Sequence, residues 1–307
     1  MSNSTLKYIG KRLVISLITL FVILMVLFLM VKFLPGSPIN NEKLSASARA
    51  AIEAQYGLDK PIPVQFVRYI QNMLTGDFGV SFNLYKDMQV SSLVGSAAKL
   101  SMIYGLCAVI IGTVIGMFLG VFAALHKNTI WDTIATVISV IGVSIPSFVF
   151  AMLILLLFAS KLRLLPTSYS SSNAIKSSIM PILALSVGVI ANVARFTRTE
   201  MVSVLTKAKG LDRKTLIFKH ELRNALIPVI TILGPILVNL MTGTMVVEKI
   251  CSVPGLGKLL INSILSNDYN IILACSFLYA AMYIFMMLII DISYGIIDPR
   301  IRLGKDD

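Results

Sequence analysis

Charge is scarce in this chain. Asp, Glu, Lys and Arg make up 14% of its residues against 56% apolar ones, and the mean hydropathy is +0.85. That balance excludes a soluble globular protein, where about a quarter of residues are charged. Acidic residues are the scarcer sign, 15 against 27 basic, for a formal net charge of +12. In a soluble chain this excess would point to nucleic acid. Among long apolar runs it reads as anchoring charge beside membrane spans, and no nucleic-acid partner is expected. Histidine and cysteine are few, two and three. Cys107 and Cys275 fall in apolar runs and Cys251 in a loop, at no metal or disulfide spacing, and they read as small packing residues.

The usual catalytic patterns are also missing. Gly255-Leu-Gly-Lys258 lacks the glycine six residues before the lysine, where Ser252 stands, and Leu259 stands where a phosphate-binding loop needs Ser or Thr. His220-Glu221 opens like a zinc-protease helix, but no second histidine follows. No G-x-S-x-G elbow occurs. The chain is therefore not expected to be an enzyme, and no cofactor or metal of its own is expected. One ionisable candidate stands near membrane depth, Asp291, roughly on a helical face with Asp298. It reads as a helix-end carboxylate pairing with Arg300, Arg302 or the basic loop rather than as a proton relay.

What the sequence has in abundance is span-length apolar sequence. Lys7, Lys11 and Arg12 precede Leu13–Val31, which carries no charge and makes a helix of about 28 Å. The run ends in Lys32 and Leu34-Pro-Gly-Ser-Pro38 with no small-residue cleavage site, so it is expected to stay as a span. Further spans are predicted at 100–125, 133–158, 179–194, 226–247 and 271–290. The fold class is all-α: a polytopic membrane protein with six transmembrane helices and both termini cytoplasmic. Pro146 interrupts the third span and Gly234-Pro235 the fifth, which predicts kinks. Gly112, Gly116 and Gly120 recur every fourth residue on the second span and permit close helix contact. Kinks and small-residue seams suit a transporter, although static bundles have them too.

Three regions follow: 1–33, the N-terminus and first span; 34–99, an external cap; 100–307, a five-helix core with a cytoplasmic loop at 195–228. In the cap, Ser45 can start a short helix that stops at Gly57, and Pro61 and Pro63 open another. There Phe66, Ile70 and Leu74, with Val67 and Met73, form a helical stripe expected to lie on the membrane face. The loop concentrates Arg195, Arg198, Lys207, Lys209, Arg213, Lys214, Lys219 and Arg223 against Glu200, Asp212 and Glu221. Thr206–Lys209 is short and basic, Gly210 can leave the helix, and Asp212 can cap a second helix over about 213–225. Such a helix–Gly–helix element can dock a soluble partner or rest on anionic lipid. Periodicity leaves both open.

The residues of this loop resemble the cytoplasmic EAA-type signature of ABC-importer permeases, in the variant of dipeptide, oligopeptide and nickel importers. Ala208-Lys-Gly-Leu211 and His220-x-Leu-Arg-Asn-Ala225-x-x-Pro228 are similar in type and spacing. So are Leu34-Pro-Gly-x-Pro38, Gly57-Leu-Asp-x-Pro61, Gln65, Gly76-Asp-Phe-Gly-x-Ser81, Ser144-x-Pro-x-Phe148 and Leu165-Pro166, in order along the chain. Val247-Glu248, Pro254-Gly-Leu-Gly257, Asp268-Tyr269 and Asp298-Pro-Arg-Ile-Arg302 complete the set.

The resemblance implies a type I importer permease in a bacterial plasma membrane, forming half of a pathway for di- or oligopeptides. The alternatives are a nickel-complex importer permease and, further off, a secondary transporter, which would call for buried ionisable pairs and an inverted repeat that the sequence does not display. It implies a second related permease, two cytoplasmic ATPases carrying ATP and Mg, and an external binding protein. Lys207, Ala208, Lys209, Gly210, Leu211, Asp212 and Arg213, with His220, Arg223 and Asn224, would form the contact with the ATPase. One departure is visible: about seven residues common in the family are absent before Lys207, which predicts a stem shorter by ~10 Å with its faces in phase.

Overall fold

The computed structural model describes residues 3–33, 54, 57, 59–207, 232–237, 240 and 245–297. Helices α1 (Asn3–Phe33), α2 (Ile62–Thr75), α3 (Val90–Leu125), α4 (Ile130–Ser144) and α5 (Ser147–Ile154) come first. A π-helical stretch, Leu155–Lys161, continues α5, and α6 (Ala174–Lys207), α7 (Leu256–Leu265) and α8 (Tyr269–Ile297) follow. The sole β pairing among the described residues is an isolated bridge, Val80 with Gln89. Contacts divide the chain into two compact units, Met1–Leu100 with Gly255–Asp307, and Ser101–Pro254. The C-terminal helices thus group with the first span and the 59–89 segment, and not with the middle of the chain.

Among the described residues four helices are long and apolar enough to cross a membrane: Ile9–Phe33, Val90–Leu125, Ser171–Ser203 and Tyr269–Ile290. The expected span at 226–247 lies largely outside the described residues; Gly234 and Pro235 fall in a helical piece, 232–237. The expected single span at 133–158 is two helices, Ile130–Ser144 and Ser147–Lys161, bent by 105°. Proline explains the size of the break. Its ring disfavours helical geometry at the residue before it, and both Ile145 (φ −91°, ψ 127°) and Pro146 (φ −59°, ψ 144°) are extended. The helix ends here and restarts.

In the first unit α1, α2 and α8 share a core of Leu24, Phe28, Val31, Tyr69, Met73, Tyr269, Ile272 and Leu273. The Phe66 ring meets Phe21 at 5.6 Å and Phe28 at 5.4 Å between centroids. Helix α2 starts with Pro61 at its cap and Pro63 in its first turn. It ends at Gly76, whose φ of 74° suits glycine. The amide of Asp77 donates to Asn72 O at 2.9 Å, which closes the last turn. The buried face of α2 is the Phe66, Tyr69, Ile70, Met73 side. Leu74 is 80% exposed and Val67 55% exposed, so the expected stripe divides: Phe66, Ile70 and Met73 turn to the core of the first unit, and Leu74 and Val67 turn away from it.

In the second unit α3 packs on α6 through its glycines. A Cβ on Gly112 would stand 2.5 Å from Val189 Cβ, and one on Gly116 2.8 Å from both Ile190 O and Val193 Cβ. At Gly120 the nearest atoms would be Ala194 O and Thr197 Cβ, both at 2.6 Å. Gly142 of α4 approaches Ala191 of α6 in the same way, at 2.7 Å from its Cβ. Lipid supplies no hydrophobic force between helices, so this backbone proximity and its dispersion energy carry the packing.

Two stability outcomes are expected. Phe66→Ala should cost about 3 kcal/mol and Leu74→Ser less than about 0.5 kcal/mol, read as Tm shifts of the purified protein in detergent. Gly116→Ala meets backbone and should cost about 1–3 kcal/mol, with partial recovery on adding Val193→Ala; unchanged Tm would show that α3 and α6 can separate freely.

Candidate translocation and coupling site

Helix α6 runs unbroken past the expected end of its span. Arg195, Arg198 and Thr206, expected in a loop, continue the helix to Lys207. At Arg198 the helix is bound to the start of α4. The Asp132 side chain, with the residue 5% exposed, receives Arg198 through Nε to Oδ1 at 2.5 Å and Nη2 to Oδ2 at 2.7 Å. Oδ2 also accepts the Asn128 amide at 3.0 Å. This two-pronged geometry fixes both distance and orientation. It anchors the 126–129 turn as well, where Asn128 has a positive φ of 62°.

A second buried carboxylate, Glu248, is 1% exposed and accepts the Ser101 hydroxyl of α3 at 2.5 Å. One turn on, Tyr104 Oη lies 2.5 Å from Ser178 Oγ of α6. After Glu248 the chain turns tightly: the Val253 amide donates to Glu248 O at 2.9 Å, and the Tyr169 amide to Cys251 O at 3.1 Å. Cys251 is 1% exposed, and burial pushes its thiol up to about 11. It stays protonated and acts as packing, as the sequence implies.

The third buried carboxylate is Asp268, fully buried just before α8. Its Oδ2 accepts the Ser81 hydroxyl at 2.5 Å and the amides of Asn83 and Leu84 at 3.0 Å each. Asn270 Nδ2 donates to Val80 O at 2.8 Å beside it. The loop between α2 and α3, which carries Gly76-Asp-Phe-Gly-x-Ser81, is thereby latched to the head of α8. Asp268 Oδ1 is buried with no hydrogen-bond partner among the described residues.

Of the residues singled out in the sequence, Pro146 sits at the bend, Gly234 is buried and Pro235 exposed. Phe66 and Ile70 pack against the first unit's core and Leu74 does not. Lys207 ends α6. Ala208, Lys209, Gly210, Leu211, Asp212, Arg213, His220, Arg223 and Asn224 lie outside the described residues. The Asp291 side chain lies outside the described residues, while Asp132, Glu248 and Asp268 are all buried within the protein. Glu248 and Asp268 were visible as landmark residues, but only tertiary contact reveals that they are buried. Among the described residues no cluster of three or more His, Cys, Asp or Glu side chains could hold a metal.

Long apolar helices, one span broken at a proline and those of the second unit joined by a small-residue seam, fit a polytopic membrane permease. The chain belongs to the family described as the binding-protein-dependent transport system inner membrane component, matched over residues 116–303. The N-terminal component of the same systems matches residues 5–87. It is a multi-pass plasma membrane protein. Systems of this family act generally with ATPase and substrate-binding partners. The dipeptide transport system permease protein DppB of Lactococcus lactis subsp. cremoris is 40% identical over 304 residues, 97% of this chain and 99% of that protein. The oligopeptide transport system permease protein OppB of Haemophilus influenzae is 40% identical over 305 residues, with the same coverage. DppB of Bacillus subtilis is 38% identical over 307 residues, again 97% of this chain and 99% of that one. A crystal structure of an amino acid ABC transporter with histidines shares the fold, with a TM-score of 0.51 at 16% identity, covering 68% of this chain and 94% of that one.

Asp268→Ala should free the 81–84 loop. Hydrogen exchange at the Asn83 and Leu84 amides should rise together, with a loss of about 2–3 kcal/mol in stability. Unchanged exchange there would mean the backbone alone holds the loop.

Proposed function

We propose that this chain forms one half of the pathway of an ATP-driven importer for di- or oligopeptides. The observation that carries the reading is the end-to-end likeness to dipeptide and oligopeptide permeases, 40% identity over 97% of the chain. In this reading six spans place both termini in the cytoplasm, and the 34–99 segment faces an external binding protein that delivers the peptide. A second related permease completes the pathway. Two ATPases, which hold ATP and Mg, seat Lys207–Asp212 in a groove and drive the spans between inward- and outward-facing states.

The broken span supports the pathway role independently. Helices α4 and Ser147–Lys161 have 15 residues each by their bounds, about 22 Å, so neither alone crosses a core of about 30 Å. Extended backbone at membrane depth is tolerated only against protein or water. Ser144 and Pro146 are nevertheless exposed in this chain. A partner permease or a water-filled pathway satisfies that requirement; lipid does not.

The test is co-purification in mild detergent followed by reconstitution with the subunits that copurify. Peptide uptake and ATP hydrolysis stimulated by the binding protein are expected. Gly210→Pro should then reduce uptake at least tenfold with the chain at normal abundance. A chain recovered without any ATPase, or normal uptake by Gly210→Pro, would count against the importer or the docking element respectively.

A further inference from the structure

We infer that Asp132 and Arg198 are a positioning pair that ties the broken span to the stem of the docking element, so that movement of the stem is passed to α4. The inference rests on the importer reading above and adds to it the link between the docking element and the spans.

The geometry supports this in three steps. Arg198 lies nine residues before the end of α6 at Lys207, about 13 Å along the helix. It is thus at the base of the segment that leads to the docking residues, and any force on that segment reaches α6 there. Second, the contact resists displacement. A salt bridge with two parallel bonds, Nε to Oδ1 and Nη2 to Oδ2, opposes both sliding and rotation, as one point contact would not. Third, the tie has a counterpart further along. Gly142 and Ala191 bring the same two helices into backbone-close contact, ten residues on in α4 and seven back in α6. Helix α4 is held to α6 near both ends, and the chain then breaks at Ile145-Pro146. The segment between tie and break moves with the stem, and the two extended residues at the break absorb the change of direction.

Energetics favour positioning over stability as the purpose. In a part-buried ion pair, with Asp132 enclosed and Arg198 31% exposed, the net gain over apolar side chains of the same volume is small, because the carboxylate gives up its water. Its advantage is registry. Leu or Val at these positions could hold the helices together but not fix how they slide.

The full transporter in liposomes, with its ATPases, partner permease and binding protein, provides the test. Asp132→Asn keeps the volume and can still accept the Asn128 amide. Arg198→Lys keeps the charge and loses the fork. Peptide transported per ATP hydrolysed, binding-protein-stimulated ATPase activity, subunit assembly and Tm are measured on each, and on the double variant. Both single variants should assemble and hydrolyse ATP, yet move at least about tenfold less peptide per ATP. The double variant should be no worse than either single one, as expected of one shared interaction. A wild-type ratio of peptide to ATP in both variants overturns the pairing role. So does loss of assembly in both, which makes the pair merely structural, and so does an additive double variant. Wild-type protein that recruits no ATPase fails the importer reading itself, and the inference falls with it; that result is distinct because it appears before any substitution is made.

Discussion

The arrangement of the second unit depends on how closely α6 can be approached. Where Gly116 faces it, the Ile190 carbonyl oxygen lies 2.8 Å from the position a Cβ would take. Gly112, Gly120 and Gly142 repeat the condition. In water such contacts would be helped by expelling solvent, but lipid chains are as apolar as the side chains they would replace. Only closer packing than lipid can offer, and polar contacts lipid cannot make, then favour protein over lipid. The glycines supply the first and the bridge from Asp132 to Arg198 the second. Helix α6 is the element on which both act.

The three buried carboxylates stand at or near helix ends. Asp132 stands where the 126–129 turn enters α4, Glu248 where the chain turns towards Val253, and Asp268 where the 79–90 loop meets α8. Asp132 and Asp268 stand at helix starts, where backbone amides are left without helical partners, and near a membrane an unpaired amide is costly; Glu248 stands in the last turn of its helix and takes a hydroxyl from α3 instead. A carboxylate accepts several donors at once: Asp268 takes a hydroxyl and two amides on a single oxygen. The scarcity of acidic residues in the sequence therefore gives each one more structural meaning than it would have on a soluble surface.

The spans near 13–31, 100–125, 179–194 and 271–290 were legible because they depend only on long uncharged runs, and the glycine seam because its spacing is local. The details that depend on phase or on contact were not. Phe66, Ile70 and Leu74 recur every four residues, and that period outruns a helix of 3.6 residues per turn by about 40° each step. By Leu74 the stripe has rotated out of the core, while Tyr69 and Met73 have rotated in. The extent of the break at Pro146 was likewise hidden. A proline in a helix bends it moderately when the residue before keeps helical geometry; here Ile145 and Pro146 are both extended, and the bend is 105°. Arg198 read as one of eight cations in a basic loop, since its partner is 66 residues away in sequence. Charge pattern along a chain cannot distinguish a lipid-facing arginine from one gripping a buried aspartate.

The break and the tie have meaning only together. A bent span joined to nothing would be a local defect, able to flex without consequence. A salt bridge between two straight spans would stiffen the bundle and nothing more. Here the bridge holds one end of α4, a glycine contact holds the other, and the non-helical pair follows at once. The π-helical turns of Leu155–Lys161 continue the second arm, where five-residue hydrogen-bond steps, such as the Leu162 amide to Leu157 O at 2.9 Å, make the helix wider and easier to rephase. Rigid arm, hinge and compliant arm occur in that order along 32 residues, 130–161. Both arms of the broken span pack on α6, so the break is framed by the same helix that carries Arg198.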